Sequence, residues 1–442
     1  MKLLNRSKQA QAGSVLVITL GLAVILGTTL GGYLYWVRTQ HVLVSQSQGW
    51  NSALAISEAG IEDGLAQANV VFGTNYLPSI QTNWSQGVVS GAYGPRSNGV
   101  ANGFYNVILI PTNPGPTIIS TGIVQVPFTG QKLKRTVMVT TTNIPAFSNA
   151  MMVKTNITTK GNNLTVDSFD STDPYHSTNG VYDASTRKAG GDIATTGGFV
   201  NIQNADIYGK LKTGPSGSYS IGNGSVGDLT WNVSGQIQPG WYANDFNMDF
   251  HDVDPPYTSG IDPTLPTTKV NVGTNTYVLL GGLNYYYNGD FTMNQNETLY
   301  VAGSNTTLYV TGNFNMKSQN ACYISLAPGA TLKLYVGTVS DSAVSAALTQ
   351  VNTGGNAASF TYYGLPSNNS LIWNGNNNFI GTIYAPEADV ALGGGGSSVL
   401  DYQGSIVANS ASLNGHFNVH YDEALRSNGP QVGFTVTSWQ EL

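Results

Sequence analysis

The sequence predicts a mainly β protein carried on a long N-terminal helix. Three observations point there. Residues 14–37 are 24 in a row without a charge. Amphipathic helical spacing continues beyond them. From about residue 145 onward, short β-prone runs alternate with Gly and Asn, which number 53 and 43 in the 442 residues.

The uncharged run exceeds the roughly 20 apolar residues needed to cross a bilayer. Thr19, Thr28 and Thr29 are tolerable there because their hydroxyls can bond back to helix carbonyls. Lys2, Arg6 and Lys8 precede the run and only Arg38 directly follows it. The positive-inside rule therefore predicts a single-pass membrane protein, with its N-terminus cytoplasmic and the rest extracytoplasmic. The only nearby small-x-small triplet, Ala10-Gln11-Ala12, lies before the apolar run, so the segment reads as a retained anchor and not a cleaved secretory signal. Gly27 and Gly31 form a small-xxx-small pair suited to packing on another helix or simply to facing lipid. Beyond the membrane, Trp50, Leu54, Ile61, Leu65 and Ala68 mark one helical face. A single helix over about 14–70 would be about 80 Å long.

Composition excludes several classes. The net charge is −6, with 18 Lys+Arg against 24 Asp+Glu. So few basic residues argue against nucleic-acid binding, which needs clustered cations at phosphates. Cys322 is the one cysteine, which rules out disulfides within the chain and cysteine zinc sites.

Strand runs follow the helix at Phe104–Ile110, Thr117–Val126 and Arg135–Thr142, with Gly130 turning between the last two. Further on come Ile157–Val166, Gly198–Ile207, Asn296–Val301, Thr306–Val310, Thr331–Val336, Phe379–Tyr384, Ala388–Leu392, Gly404–Val407 and Ala411–Leu413. Ser340–Ala347 is the one stretch with helical spacing. Each β run offers two to four apolar residues, so stacking is needed to bury them, as in a parallel β-helix. A β-sandwich or several small β domains is the competing architecture. The expected division is a leader (1–13), a membrane and amphipathic helix (14–70), a β meander (71–145), a β-helix (146–425) and a C-terminal tail (426–442).

The basic leader ending in Gly13, the uncharged helix, and Ala55 to Leu65 with its Glu58-Ala59-Gly60-Ile61-Glu62 core resemble the N-terminal segment of type IV pilin-like proteins, most closely PilX-type minor pilins. The resemblance implies cleavage by a prepilin peptidase between Gly13 and Ser14, and partnership with other pilin-like subunits through the helix. It also implies that the membrane crossed is the inner one. Major pilins carry a glutamate at the fifth mature position. Here that place is Ile18, which argues against a major subunit and is compatible with a minor, tip or priming subunit, or with a protein that is never assembled. A second resemblance lies in Gly381-Thr382-Ile383-Tyr384-Ala385-Pro386, Gly404-Ser405-Ile406-Val407-Ala408 and His420-Tyr421-Asp422-Glu423-Ala424-Leu425. These are similar to a domain of unknown function that follows PilX-type N-termini, related to polymer-forming β-helices of the bactofilin kind. It implies a β-helix without established activity.

Candidate chemistry is sparse. His416, Asn418, His420 and Asp422 share a face if the segment is a strand. The expected role of His420 and Asp422 is structural, closing the final rungs; a metal held by two His and a carboxylate is the alternative. Asp245, Asn247 and Asp249 imitate the opening of a calcium loop, but Phe250 replaces the required Gly and Pro256 stands where the closing Glu belongs. They read as a solvated linker. Asp167, Asp170, Asp173 and Asp183, near Arg187 and Lys188, are the acids a polysaccharide-cleaving β-helix would need, yet nothing in the spacing selects a pair. Gly393–Gly396 lacks the Lys and helix of a phosphate loop. Tyr285, Tyr286, Tyr287 and Trp373 read as packing residues, with carbohydrate contact as the alternative. The expectation is a non-enzymatic, cofactor-free, membrane-anchored structural protein presenting a β-helix for adhesion, with a surface glycan or cell-surface ligand as partner. A surface-tethered polysaccharide enzyme and a self-polymerising envelope protein are the alternatives.

Overall fold

The computed structural model describes residues 12–70, 92–100, 102–127, 130–160, 164–248, 250–264, 269–272, 274–317, 322–340, 343–352, 355–375, 377–394, 399–415, 417–428 and 431–442. The leader residues 1–11 and His416 and Asp249 lie outside this set. The chain forms two compact units: residues 1–143 with 433–442, and residues 144–432. The fold class is as the sequence predicts: a long helix, a small antiparallel sheet, then a large stack of parallel strands.

In the first unit, helix α1 (Ala12–Val70) runs unbroken for 59 residues. In its first half Val15 to Trp36 are exposed apolar residues. The threonines there close their hydroxyls onto the preceding turn, Thr28 onto Val24 O at 2.9 Å and Thr29 onto Ile25 O at 2.9 Å. Its second half packs on an antiparallel sheet of β1 (Tyr93–Val100), β2 (Gly103–Ile110), β3 (Thr117–Gln125) and β4 (Lys132–Pro145). The sequence reading lacked β1. Alternation fills the shared core with Tyr105, Val107, Leu109, Ile118, Val137 and Val139.

The helix face agrees with the predicted one in part: Ile61 and Ala68 are buried as expected, and the rest shifts. Ala53, Ile56, Ser57, Gly60, Ile61, Gly64 and Ala68 are buried, Leu54 and Leu65 are half-buried, and Trp50 is exposed beneath the Arg135 guanidinium. The reason is close approach. A Cβ on Gly122 would stand 2.0 Å from Ala53 O, and one on Gly64 2.7 Å from Ile118. Small residues, not large ones, make this seam.

The segment read as a C-terminal tail is another correction. It holds a short helix, Leu425–Asn428, and a strand, Gln431–Glu441, which lies beside β4 as the fifth strand of the sheet. Arg135 pairs with Glu441 along this edge, and Phe434 joins the helix–sheet core.

The second unit is a three-faced β-helix, in which most strands pair in parallel with a strand about three later in the chain, while Lys269–Val272 pairs antiparallel with Thr274–Leu279. One inward column runs through eleven coils in register: Tyr277, Leu299, Ile324, Val351, Phe379, Tyr402, Val419, Val166, Ile207, Val226, Ile237. That order is not chain order. The chain enters mid-stack at β5 (Met151–Val153), β6 (Ile157–Thr159) and β7 (Thr165–Phe169), and winds to one end near Ala243. It resumes at the other end, at Thr274–Leu279, and winds back to the middle at Phe417–Asp422. The strand Leu400–Gly415 stacks on β5 and β6, and Phe417–Asp422 on β7. Two adjacent coils, one from the start of the unit's sequence and one from its end, thus stack on each other mid-stack.

The connection between the ends runs through residues 244–264. Its Tyr257 hydroxyl donates to Tyr285 O at 2.7 Å, and His251 O accepts from the Tyr384 hydroxyl at 3.0 Å. It follows a register-matched ladder of Tyr286, Tyr309, Tyr335, Tyr363 and Tyr384. Phe250 and Val253 are buried while Asp245, Asn247, Asp252 and Asp254 are exposed, so the acids are solvated, as read, on a strap held down by the apolar residues between them. Ser340–Ala347 corrects in the same direction: Val344–Leu348 is a strand, because Val344, Ala346 and Leu348 alternate inward.

Candidate functional site

Where the first and last coils of this unit's sequence stack, polar side chains gather on the outside. Val166 and Val419 point inward in paired register, so alternation aims Asp167 and His420 outward from adjacent strands. Both are nonetheless buried, at 0% and 2% exposure. The excursion 170–190 folds back over them. Its Tyr182 ring stacks on the His420 ring with centroids 3.5 Å apart.

His420 Nδ1 lies 2.5 Å from Asp167 Oδ1, and Nε2 lies 3.2 Å from Asp401 Oδ1. Two carboxylates on two ring nitrogens require both nitrogens to donate, which is the imidazolium form. Burial alone would depress the His420 pKa, but the bonds from Asp167 and Asp401 outweigh it and hold the pKa above its ordinary value. The Tyr182 hydroxyl donates to Asp167 Oδ2 at 2.8 Å, and Arg187 stands 3.6 Å from the same oxygen. Burial and that neighbouring carboxylate push the Tyr182 phenol up. Lys188 and the Ser168 hydroxyl both meet Glu423, at 2.5 and 2.8 Å, fastening the excursion's far end.

The other acids counted in the sequence shape the excursion itself. Asp170 accepts from Thr172 N at 3.0 Å, Asp173 from Tyr175 N at 2.9 Å, and Asp183 from Ser185 N at 2.9 Å. They are turn-formers and do not converge in a groove. Asp422 accepts from Ser171 N at 3.0 Å and Ala424 N at 3.1 Å, and burial raises its pKa. It does not join His420 on a ligand: the two use separate partners. Among the described residues, no group of three His, Cys, Asp or Glu is placed to hold a metal. His420 and Asp422 lie where Phe417–Asp422 pairs with β7, mid-stack and not on the final rungs, and His416 lies outside the described residues.

The signature glycines have a geometric cause. Gly381 and Gly404 are register partners with φ of 157° and 147°, and a Cβ on Gly404 would stand 1.8 Å from Gly381 O. Tyr285 and Trp373 are buried packing residues; Tyr286 and Tyr287 are half-buried.

Two recesses open on this unit. One of about 390 Å³ lies between the excursion and the corners at 326–330 and 352–359, with Asp422 and Asn352 in its lining. A smaller one, about 220 Å³, lies between Tyr208 and Trp231. Gly13 and Ser14 sit in the first turn of α1.

The sequence model of a family described as a domain of unknown function (DUF7305) matches residues 261–428. No curated protein matches the chain by sequence. Among solved structures, the chain is similar to the competence-associated pilin ComZ from Thermus thermophilus, at 12% identity and a TM-score of 0.20, over 89% of this chain and 97% of that one. It is also similar to the DUF3494 domain of ice-binding protein_1 from Shewanella frigidimarina, at 13% identity and a TM-score of 0.20, over 63% of this chain and 99% of that one. At these scores neither likeness carries weight on fold or function. The coil geometry stands on its own register.

Proposed function

We propose that this chain is a membrane-anchored, pilin-like structural protein of the minor or assembly type, with its β-helix presented outside the cell for adhesion or surface interaction. The observation that carries the reading is the division of labour along α1. Its first half is apolar and exposed from Val15 to Trp36, while its second half is embedded in an antiparallel sheet. A helix half with that surface needs lipid or like helices around it. Gly27 and Gly31 have nothing within 4 Å of their Cβ positions, which leaves room for a partner helix at a small-xxx-small seam. Ile18 cannot offer a carboxylate to a neighbour's N-terminal amine, which favours a rare subunit over the bulk of a filament. Cleavage by prepilin peptidase between Gly13 and Ser14 belongs to the same reading, as do a cytoplasmic N-terminus and partnership with pilin-like subunits at the inner membrane.

A non-enzymatic role fits the polar cluster. Both nitrogens of His420 are committed to carboxylates, so the ring serves as a clasp and has no free nitrogen with which to move a proton. Fractionation of native cells tests the anchoring. The full chain should sediment with membranes or sheared filaments, and deletion of 14–37 should release it. Full-length protein free in the soluble fraction would refute the reading.

A further inference from the structure

We propose that the outer face of the last coils of the β-helix carries a subsite for one neutral sugar residue of a glycan, bounded by Trp231 and Tyr208 over Asp206. The inference rests on the reading of this unit as the outward-presented part, and names where and what it would bind.

The recess is built by register. Ile207 and Val226 pair in the inward column, so Asp206, Tyr208 and Ser225 point out, with Asp206 beside Ser225 and Tyr208 beside Gly227. Gly227 has no side chain to fill the place next to Tyr208. Trp231 takes it: a Cβ on Gly227 would stand 2.7 Å from the indole Cγ. The turn that returns Trp231 is fixed, because the Asp228 carboxylate accepts from Thr230 N at 2.8 Å, Trp231 N at 3.0 Å and Gln238 Nε2 at 2.8 Å. The indole N–H donates to Gln236 O at 3.4 Å. Tyr208 is held from its own side by Arg187, whose guanidinium carbon is 4.5 Å from the ring centroid. Both aromatic walls are therefore positioned before any ligand arrives, which lowers the ordering cost of binding.

The chemistry of the recess selects the ligand. Aromatic walls suit the C–H faces of a pyranose, while its hydroxyls need acceptors and donors at the edges. Asp206 Oδ1 accepts from the Ser225 hydroxyl at 2.8 Å, and its second oxygen has no protein hydrogen bond among the described residues, leaving an acceptor for a sugar hydroxyl. The Asn223 and Asn232 side chains at the rim supply amide donors and acceptors. No Lys, Arg or His lines the recess among the described residues, which disfavours uronic or sialic acids. The volume of about 220 Å³ admits one ring and not a chain, so a longer glycan would dock by a single residue.

The test titrates the full chain, in detergent, with the methyl glycosides of glucose, galactose, mannose and N-acetylglucosamine, followed by saturation-transfer NMR. At least one should bind with a Kd of about 1 mM, and Trp231→Ala and Asp206→Asn should each weaken it at least about tenfold. Melting curves serve as the control. If Trp231→Ala also lowers the melting temperature, Asp206→Asn decides. No binding of any of the four up to about 50 mM, or binding that survives both variants, would overturn the proposal. Preference for glucuronate or glucosamine would overturn its neutral character. Asp206→Asn should leave membrane retention unchanged, so a failed subsite and a failed anchor give different results.

Discussion

Replacing His420 by alanine tests the clasp between the two coils that join mid-stack. The side chain bonds Asp167, which is fully buried, and Asp401, whose side chain is about a third exposed at 32%. A charge-assisted bond at the buried site is worth about 1.5–3 kcal/mol. The one to Asp401 is screened and adds about 0.5–1 kcal/mol. Asp167 keeps Tyr182 and Arg187 as partners, so the loss stays near the bottom of the roughly 3–5 kcal/mol range for breaking a buried pair. We expect about 3 kcal/mol, read as a fall of about 5–10 °C in the melting temperature of the β-helix unit at pH 6. The pH dependence carries the sharper signature. The folded pKa of His420 is raised, so its contribution is fully present below the unfolded value of about 6.5 and is lost as pH rises through the folded value. Wild type should therefore lose stability on going from pH 6 upward, and His420→Ala should lack that step. Differential scanning calorimetry in parallel pH series, with and without chelator, gives the answer. Equal melting temperatures at pH 6, or an unchanged pH slope in the variant, would refute the clasp. Chelator sensitivity in wild type alone would favour a metal.

Three further substitutions or deletions probe the packing. Gly122→Ala should weaken the helix–sheet unit by about 1–3 kcal/mol, because its Cβ would meet Ala53 O; faster proteolysis within α1 is the readout, and unchanged cleavage would contradict the close seam. Gly404→Ala meets both a positive φ and the Gly381 carbonyl, and should lower the β-helix melting temperature more than Gly240→Ala, where nothing lies within 4 Å of the Cβ position. Chain lacking residues 1–39 should be soluble with a mainly β circular-dichroism spectrum; a helix-dominated spectrum would be inconsistent with the coil stack.

Much of the fold was legible because it is local. The uncharged run from Ser14, the alternation in Phe104–Ile110 and the repeated Leu-x-Val rungs each announce themselves within a few residues. What the sequence hid is non-local. His420 and Asp167 are 253 positions apart, and no spacing rule brings them together. The mid-stack join depends on where a parallel strand finds an open edge, which local pattern does not encode. The small-residue seam of α1 was present as Ala53, Ser57, Gly60 and Gly64, but a search for large apolar residues passes over it. The final strand did carry a signal: Val432, Phe434 and Val436 alternate, and reading the segment as a polar tail weighed Arg426 to Pro430 too heavily.

The prepilin-like account is tested most directly by the mass of the native N-terminus. Protein taken from membranes of its own host, digested and analysed by mass spectrometry, should yield an N-terminal peptide beginning at Ser14. An N-terminal peptide that retains residues of the basic leader, or one that begins well inside the apolar run, would contradict it.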